Sequence, residues 1–341
     1  MLSYRTRQGL RRFFKTILIL ALIAAVVWLC WVIWVGRYIV YTPEGAKLDF
    51  SFSGTFPEGE EAVPPTTDET ISIAYGDTQE EETTPPPSEF PIHGYYVEFD
   101  QLKEDIAAVQ AKLETLPDGT AVLLDVKNIK GFFHYSTAVG TTTAEDVDIS
   151  AMDALLEYLS NRDLHTIARL PAFRDWEYGL NNVPNGLPKK GGNGSLWMDD
   201  DYCYWLNPAD EQVLSYLVGI TMELRRLGFD EVVFTDFRFP NTDEIQFDGD
   251  KWQALTNAAA TLAGTCASQR FCVSFTSTDP AFPLPEGNCR LYLENIDAGD
   301  ILSIVPQVKT DNPALHLLFL TTLNDTRFND YCVLRPLSSA E

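Results

Sequence analysis

The chain has 341 residues, of which 45% are hydrophobic and 22% charged, with 25 Lys+Arg against 49 Asp+Glu and a formal charge of −24. That length supports one large or two medium domains with a full core. The acidity excludes a nucleic-acid binder, which needs a basic face for phosphates, and the composition excludes a disulfide miniprotein, a collagen and a wholly disordered chain.

The charge is unevenly placed. Residues 1 to 41 hold six basic residues and no acid, so the remainder carries 19 basic against 49 acidic residues, a net of −30. Within the basic end, Thr16 to Val35 is an uncharged run of 20 residues, long enough to cross a hydrocarbon core of roughly 30 Å as a helix. Five basic residues precede it and one follows, which places residues 1–15 as a cytoplasmic tail and everything after Val35 outside. The run is too long, and its end (Trp31, Trp34, Tyr38) too bulky, for a cleaved signal peptide. The sequence therefore predicts a single-pass signal anchor at 16–35 and a chain seated in the cell membrane. Residues 36–91 follow, rich in Pro, Thr and Glu, with eight prolines and one lysine between 42 and 91. Such a segment cannot offset the entropy of ordering, and is expected to be a disordered stalk; Leu48 to Phe52 alternates like a strand but is too short to stand alone.

From residue 92 to 336 the texture is that of a folded α/β body. Strands are expected at Tyr95–Phe99, Ala121–Lys127, Thr166–Ala172, Val232–Phe237, Phe271–Thr276, Arg290–Glu294, Leu315–Thr321 and Tyr331–Leu334. Helices are expected between them at Gln101–Leu116, Ser150–Asn161, Pro208–Leu227, Lys251–Ala267 and Ala298–Val305, with Ser150 and Asn207 as N-caps and Gly119 and Gly228 just beyond helix ends. Eight strands alternating with helices over about 250 residues predict a (β/α)8 TIM-type barrel. No G-x-G-x-x-G or Walker A motif is present to suggest a nucleotide.

Charged residues at the ends of apolar strands mark the candidate site, because functional groups of such barrels collect at the C-terminal ends of the strands. Asp125 and Lys127, two apart, share a face at the end of the second strand. Arg169 ends the third, and Asp236 and Arg238 the fourth. The competing reading is a structural ring of ion pairs that closes the mouth. Aromatic residues abound in the loops, and Trp197 and Trp205 are candidates to stack on sugar rings; the alternative is that such aromatics fill the core. Six cysteines occur, one of them (Cys30) in the apolar run, with no Cys/His cluster for zinc. No metal and no cofactor are expected.

These segments resemble the signatures of a bacterial family of glycoside-hydrolase-like TIM barrels, a domain of unknown function related to the α-amylase-like glycosidases. The second-strand signature resembles Leu124-Asp125-Val126-Lys127-Asn128-Ile129-Lys130-Gly131 and the following Phe132-Phe133-His134-Tyr135. The third-strand signature resembles Thr166-Ile167-Ala168-Arg169-Leu170-Pro171-Ala172-Phe173-Arg174-Asp175. A loop signature resembles Gly194-Ser195-Leu196-Trp197-Met198-Asp199 with Trp205-Leu206-Asn207-Pro208. The fourth resembles Leu227-Gly228-Phe229-Asp230-Glu231 with Arg238-Phe239-Pro240. They cover residues 94–240. The resemblance implies a barrel that acts on an extracytoplasmic polysaccharide of the envelope or of an external source. The family pattern at the fourth strand is Phe-Asp-Tyr-x-Arg-Phe-Pro. Aligned on Arg238-Phe239-Pro240, its acid falls on Thr235 and its tyrosine on Asp236; a bulge would return Asp236 to the acid's face. Its fifth-strand Asp falls nearest Thr276. Hydrolysis of a glycosidic bond ordinarily needs two carboxyls. The pair that remains is Asp236, as nucleophile or general base, and Glu294, as acid, with Asp125, Lys127, Arg169, Arg238, Trp197 and Trp205 binding substrate. The alternative is a catalytically inactive barrel that binds a glycan or an envelope protein.

Overall fold

The computed structural model describes residues 39–42, 45–48, 91–140 and 142–340. The expected membrane helix at 16–35 and most of the expected stalk lie outside the described residues; among the described residues no helix is long and apolar enough to cross a membrane. Within the stretch expected to be disordered, Ile39–Thr42 and Gly45–Leu48 pair as an antiparallel ribbon in the register Ile39↔Leu48 to Thr42↔Gly45. The β-branched and aromatic run Ile39-Val40-Tyr41-Thr42 favours extended backbone there. The ribbon belongs to the unit of residues 1–80 and the barrel to the unit of residues 81–341.

The body is a closed barrel of eight parallel strands: β1 His93–Tyr96, β2 Ala121–Asp125, β3 His165–Pro171, β4 Glu231–Thr235, β5 Cys272–Thr276, β6 Leu291–Glu294, β7 Leu317–Leu320 and β8 Cys332–Pro336. Each pairs with the next, and β8 closes the ring on β1 through Val333↔His93 to Pro336↔Tyr96. The described helices are α1 Phe99–Glu104, α2 Ile106–Leu113, α3 Ile149–Ser160, α4 Trp176–Asn181, α5 Glu211–Arg226, α6 Lys251–Cys266, α7 Ile301–Ile304 and α8 Pro313–His316.

Local chemistry explains where helices differ from expectation. The helix expected at 101–116 is broken at Asp105, whose extended backbone ends α1 and whose carboxylate accepts the Ala108 N–H to start α2. Asp148 and Asp210, not Ser150 and Asn207, cap α3 and α5, Asp148 accepting the Ala151 N–H and Asp210 those of Gln212 and Val213; these helices begin where the carboxylate reaches the orphan donors. Gly228 (φ 94°) ends α5 as expected: its N–H bonds the Arg225 carbonyl, and the Phe229 N–H bonds that of Leu224, the pair of bonds of a Schellman stop. No helix lies between β5 and β6.

Strand alternation sorts the apolar residues into two cores. Val122, Leu124, Val232, Phe234, Val273 and Phe275 face outward into the large cluster beneath the helices. Ala121, Leu123, Ile167, Val233, Tyr292, Leu318 and Leu334 form a second cluster that fills the barrel. Above this plug, at the C-terminal ends of β2 to β6, the inward residues Asp125, Arg169, Thr235, Thr276 and Glu294 are polar, and there the barrel opens. All five cysteines of the body are buried thiols. Burial pushes the Cys203 and Cys289 thiols up to about 12, so both stay protonated and unreactive at neutral pH.

Candidate active site

A cavity of about 500 Å³ sits over the C-terminal ends of β2 to β6, within the size range of small-molecule sites. Its charged residues are Asp125, Lys127, Arg169, Asp236, Arg238 and Glu294. Asp125 and Arg169 are register partners on adjacent strands. Their side chains meet in a two-pronged ion pair, with Arg169 Nε 2.5 Å and Nη2 2.9 Å from the two carboxylate oxygens. The third guanidinium nitrogen, Nη1, lies 3.8 Å from Oε1 of Glu294. Arg169 therefore bridges two carboxylates of the mouth.

Asp236 answers the question of register at the fourth strand. Inward alternation along β4 runs Glu231, Val233, Thr235, which would turn Asp236 outward. Instead Asp236 has φ 48°, in the left-handed region, and both Thr235 and Asp236 line the cavity. A left-handed kink, rather than an inserted residue, brings the carboxylate in. This region costs a non-glycine residue energy, and such strain clusters at functional sites. Arg238 follows through a tight turn in which its N–H bonds the Asp236 carbonyl at 2.9 Å, and its Nη2 lies 3.6 Å from Asp236 Oδ1. Burial pushes the Asp236 carboxyl above the ordinary range; Arg174 and Arg238 pull it down, and the nearby Asp199 and Asp201 add to the rise.

The other expected contacts with substrate are placed differently. Lys127 lies past the end of β2, where its ammonium is fully buried 2.6 Å from Asp175 Oδ2. It sits between the rings of Phe133 and Tyr216, and Tyr216 also donates to Asp175. Lys127 lines the cavity as Asp125 does, but past the end of β2 the chain turns and the Lys127 ammonium is taken up by Asp175. The cation instead fastens that turn to the segment that starts α4. Trp205 is 2% exposed and covered by Arg238, whose guanidinium carbon stands 4.8 Å from the ring centre, so its face is not open to a sugar. Its Nε1–H donates to Asp199, which also accepts from Arg174 Nε at 2.6 Å. Although burial opposes it, Arg174 and Trp205 hold the Asp199 carboxyl below its usual range. Trp197 is half-buried beside this layer and donates to Glu244 at 3.3 Å. Neither tryptophan lines the cavity.

The second-strand signature thus reads as a clasp. Asn128 accepts the N–H groups of Lys130 and Phe132 on its side-chain oxygen. Gly131 (φ 86°) lies so close to Asp175 that a Cβ there would stand 2.3 Å from Oδ1. Gly131→Ala is expected to lower stability by more than about 1 kcal/mol, from left-handed strain plus collision with the buried pair; chemical denaturation measures it. The loop residues Ile129 and Lys130 accept the first N–H groups of α4.

A family described as "Putative glycosyl hydrolase domain" matches residues 95–268, more than half of the chain. The chain belongs to this family. The match ends before β6, so Glu294 lies outside it while Asp125, Arg169 and Asp236 lie within. The glycosyl hydrolase family assignment agrees with the eight-stranded parallel barrel. Solved structures with similar folds include a hypothetical protein from Ruminiclostridium thermocellum ATCC 27405, at 20% identity over 53% of this chain and 96% of that one, TM-score 0.45. The glycoside hydrolase domain of PelA from Pseudomonas aeruginosa is similar at 14% identity over 73% of this chain and 96% of that one, TM-score 0.43. An alpha-galactosidase from Lactobacillus brevis is similar at 11% identity over 75% of this chain, TM-score 0.49, and the match spans 38% of that enzyme. No curated protein sequence matches the chain.

Sequence reading missed three groups near the site. Arg174 and Asp175 lay inside the quoted third-strand signature, but nothing in residue type distinguished the buried pair from the exposed one. His134, which lines the cavity, lay inside the quoted second-strand signature, but as one of four scattered histidines it had no Ser or Cys context to suggest a role.

Proposed function

We propose that the barrel hydrolyses a glycosidic bond of a cell-envelope or external polysaccharide, with the chain anchored in the membrane by residues 16–35 and the barrel on the extracytoplasmic side. The observation that carries the chemistry is the left-handed Asp236, which brings a desolvated carboxyl of raised pKa into a mouth that also holds Glu294. A carboxyl that holds its proton to higher pH than an ordinary aspartate is suited to general acid work. Asp236 would donate that proton to the glycosidic oxygen as its bond to C1 breaks. Glu294, beside the Arg169 guanidinium, would attack C1 or take a proton from the attacking water. These roles are the reverse of those the sequence suggested. The anchor rests on the charge asymmetry around the apolar run.

A second reading has its own support. Thr235 and Thr276 line the mouth at positions where the resemblance described above implies acids, so the barrel would bind a glycan without cleaving it. Incubating the full-length chain with envelope and storage polysaccharides, and reading both reducing ends and binding, separates the two. New reducing ends support hydrolysis; binding without release supports the second reading; neither binding nor release removes both.

A further inference from the structure

The mouth has an uneven set of hydrogen-bonding groups. Beside Lys127, whose ammonium is ion-paired with Asp175, two residues that line the cavity carry a buried polar atom with no hydrogen-bond partner. They are His134, through Nε2, and Thr276, through Oγ1. His134 is 1% exposed. Its Nδ1 lies 2.7 Å from the Asp125 carbonyl oxygen, which only accepts, so Nδ1 carries the proton and Nε2 of the neutral ring presents a lone pair. Burial holds the imidazole below its ordinary pKa, with the Asp125 carbonyl working against that, so it is neutral at physiological pH. The ring stacks on Phe99 at 4.3 Å between centres, which fixes its plane. A buried acceptor left without a donor costs about 1–3 kcal/mol, and a ligand that supplies the donor recovers it.

The charges of the mouth are committed to one another. Arg169 is held by Asp125 and faces Glu294. Arg238 lies against Asp236 and Trp205 and donates to the Phe239 carbonyl. A carboxylated or sulfated sugar would meet the acids Asp125, Asp236 and Glu294, and each cation among the described residues that line the cavity already has an acid beside it: Lys127 has Asp175, Arg169 has Asp125 and Arg238 has Asp236. An ammonium sugar would have to compete with Arg169 and Arg238 for those acids.

We infer that the mouth takes an uncharged, hydroxyl-rich sugar unit, and that His134 is a binding residue whose Nε2 accepts a hydroxyl of that unit, with Thr276 Oγ1 as a second contact. This rests on the glycan reading given above and narrows its substrate class.

The test is titration of the full-length chain with neutral hexamers (cellohexaose, maltohexaose and N-acetylated chitohexaose), with hexagalacturonate and with fully deacetylated glucosamine hexamer. At least one neutral hexamer is expected to bind, and more tightly than either charged one. His134→Phe, which keeps the stack on Phe99, is expected to weaken that binding by about tenfold. His134→Gln, which restores an acceptor at the position of Nε2, should recover most of it, and Thr276→Val should cost several-fold. Unchanged affinity in His134→Phe overturns the role of His134 while leaving the glycan reading intact. Preferred binding of a charged hexamer overturns the uncharged class and leaves the glycan reading intact. No binding of any hexamer or polysaccharide by the unaltered chain removes the glycan reading and this inference together.

Discussion

Asp236→Asn is expected to lower the release of reducing ends by about a hundredfold to ten-thousandfold, the usual worth of a positioned general acid, while leaving the fold and glycan affinity in place. Asparagine is the variant of choice because it tolerates the left-handed backbone that Asp236 adopts (φ 48°), and it keeps the size of the side chain. Asp236→Gly provides the complementary measurement. It removes the same carboxyl and also relieves the left-handed strain, so thermal melting should rise by the equivalent of about 1 kcal/mol while activity is lost. A variant that gains stability and loses turnover shows that the kink exists for the site and not for the barrel. The pH dependence has a defined sign. Burial raises the Asp236 pKa, so the proton-donating form persists to higher pH than for an ordinary aspartate. The alkaline limb of the rate profile should therefore lie at higher pH than an ordinary aspartate would place it and disappear in Asp236→Asn. Unchanged release in Asp236→Asn would remove this residue from the mechanism.

The barrel was legible because its signals are periodic and repeated. Eight apolar runs of strand length, separated by amphipathic stretches, leave few topologies open, and even the weak eighth run pairs with β1. The polar mouth was legible for the same reason: Asp125, Arg169 and Glu294 occupy the inward phase at strand ends. Legibility stopped where the chain leaves the strand. Lys127 and Asp236 each lie past the last paired residue, and there the rule of two no longer predicts direction. Both line the cavity, but the Lys127 ammonium is taken up in a buried pair with Asp175, whereas Asp236 turns through a positive φ. No residue type announces a positive φ when it is aspartate rather than glycine. The signatures that carried the family resemblance proved to be largely architectural in this chain. Asn128, Gly131 and Asp175 hold the β2 turn, and Asp230 accepts the Thr166 N–H at the base of β3. A motif reports what a fold needs in order to close as readily as what a site needs in order to react.

The same distinction applies to Glu231, which the sequence offered only as a letter of the fourth-strand signature. It is fully buried at the N-terminal end of β4, the end opposite the mouth, where barrel residues serve stability. Its carboxylate is ion-paired with Arg290, and it accepts from His165 Nε2 at 3.0 Å, Ser274 Oγ at 2.5 Å and Tyr292 OH at 2.9 Å. One carboxylate thus joins β3, β4, β5 and β6, and Arg290 extends the tie to the Leu315 carbonyl just before β7. Burial by itself would raise the Glu231 pKa, but Arg290, His165 and Ser274 outweigh it and hold the carboxyl at about 2. Glu231→Gln is expected to cost about 3–5 kcal/mol at neutral pH, because it leaves the Arg290 charge buried without its partner. Pairing it with Arg290→Met should restore much of that loss, since the penalty belongs to the unmatched charge and not to the absence of a salt bridge. The pH dependence follows from the depressed carboxyl. The Glu231 contribution is fully present above the unfolded value of about 4.5 and is lost as pH falls through the folded value of about 2. Denaturant melts of the parent chain and Glu231→Gln should therefore differ by a constant amount from pH 7 down to about 5 and converge below that. Parallel curves across the whole range would mean that the carboxylate is not what fastens this end of the barrel.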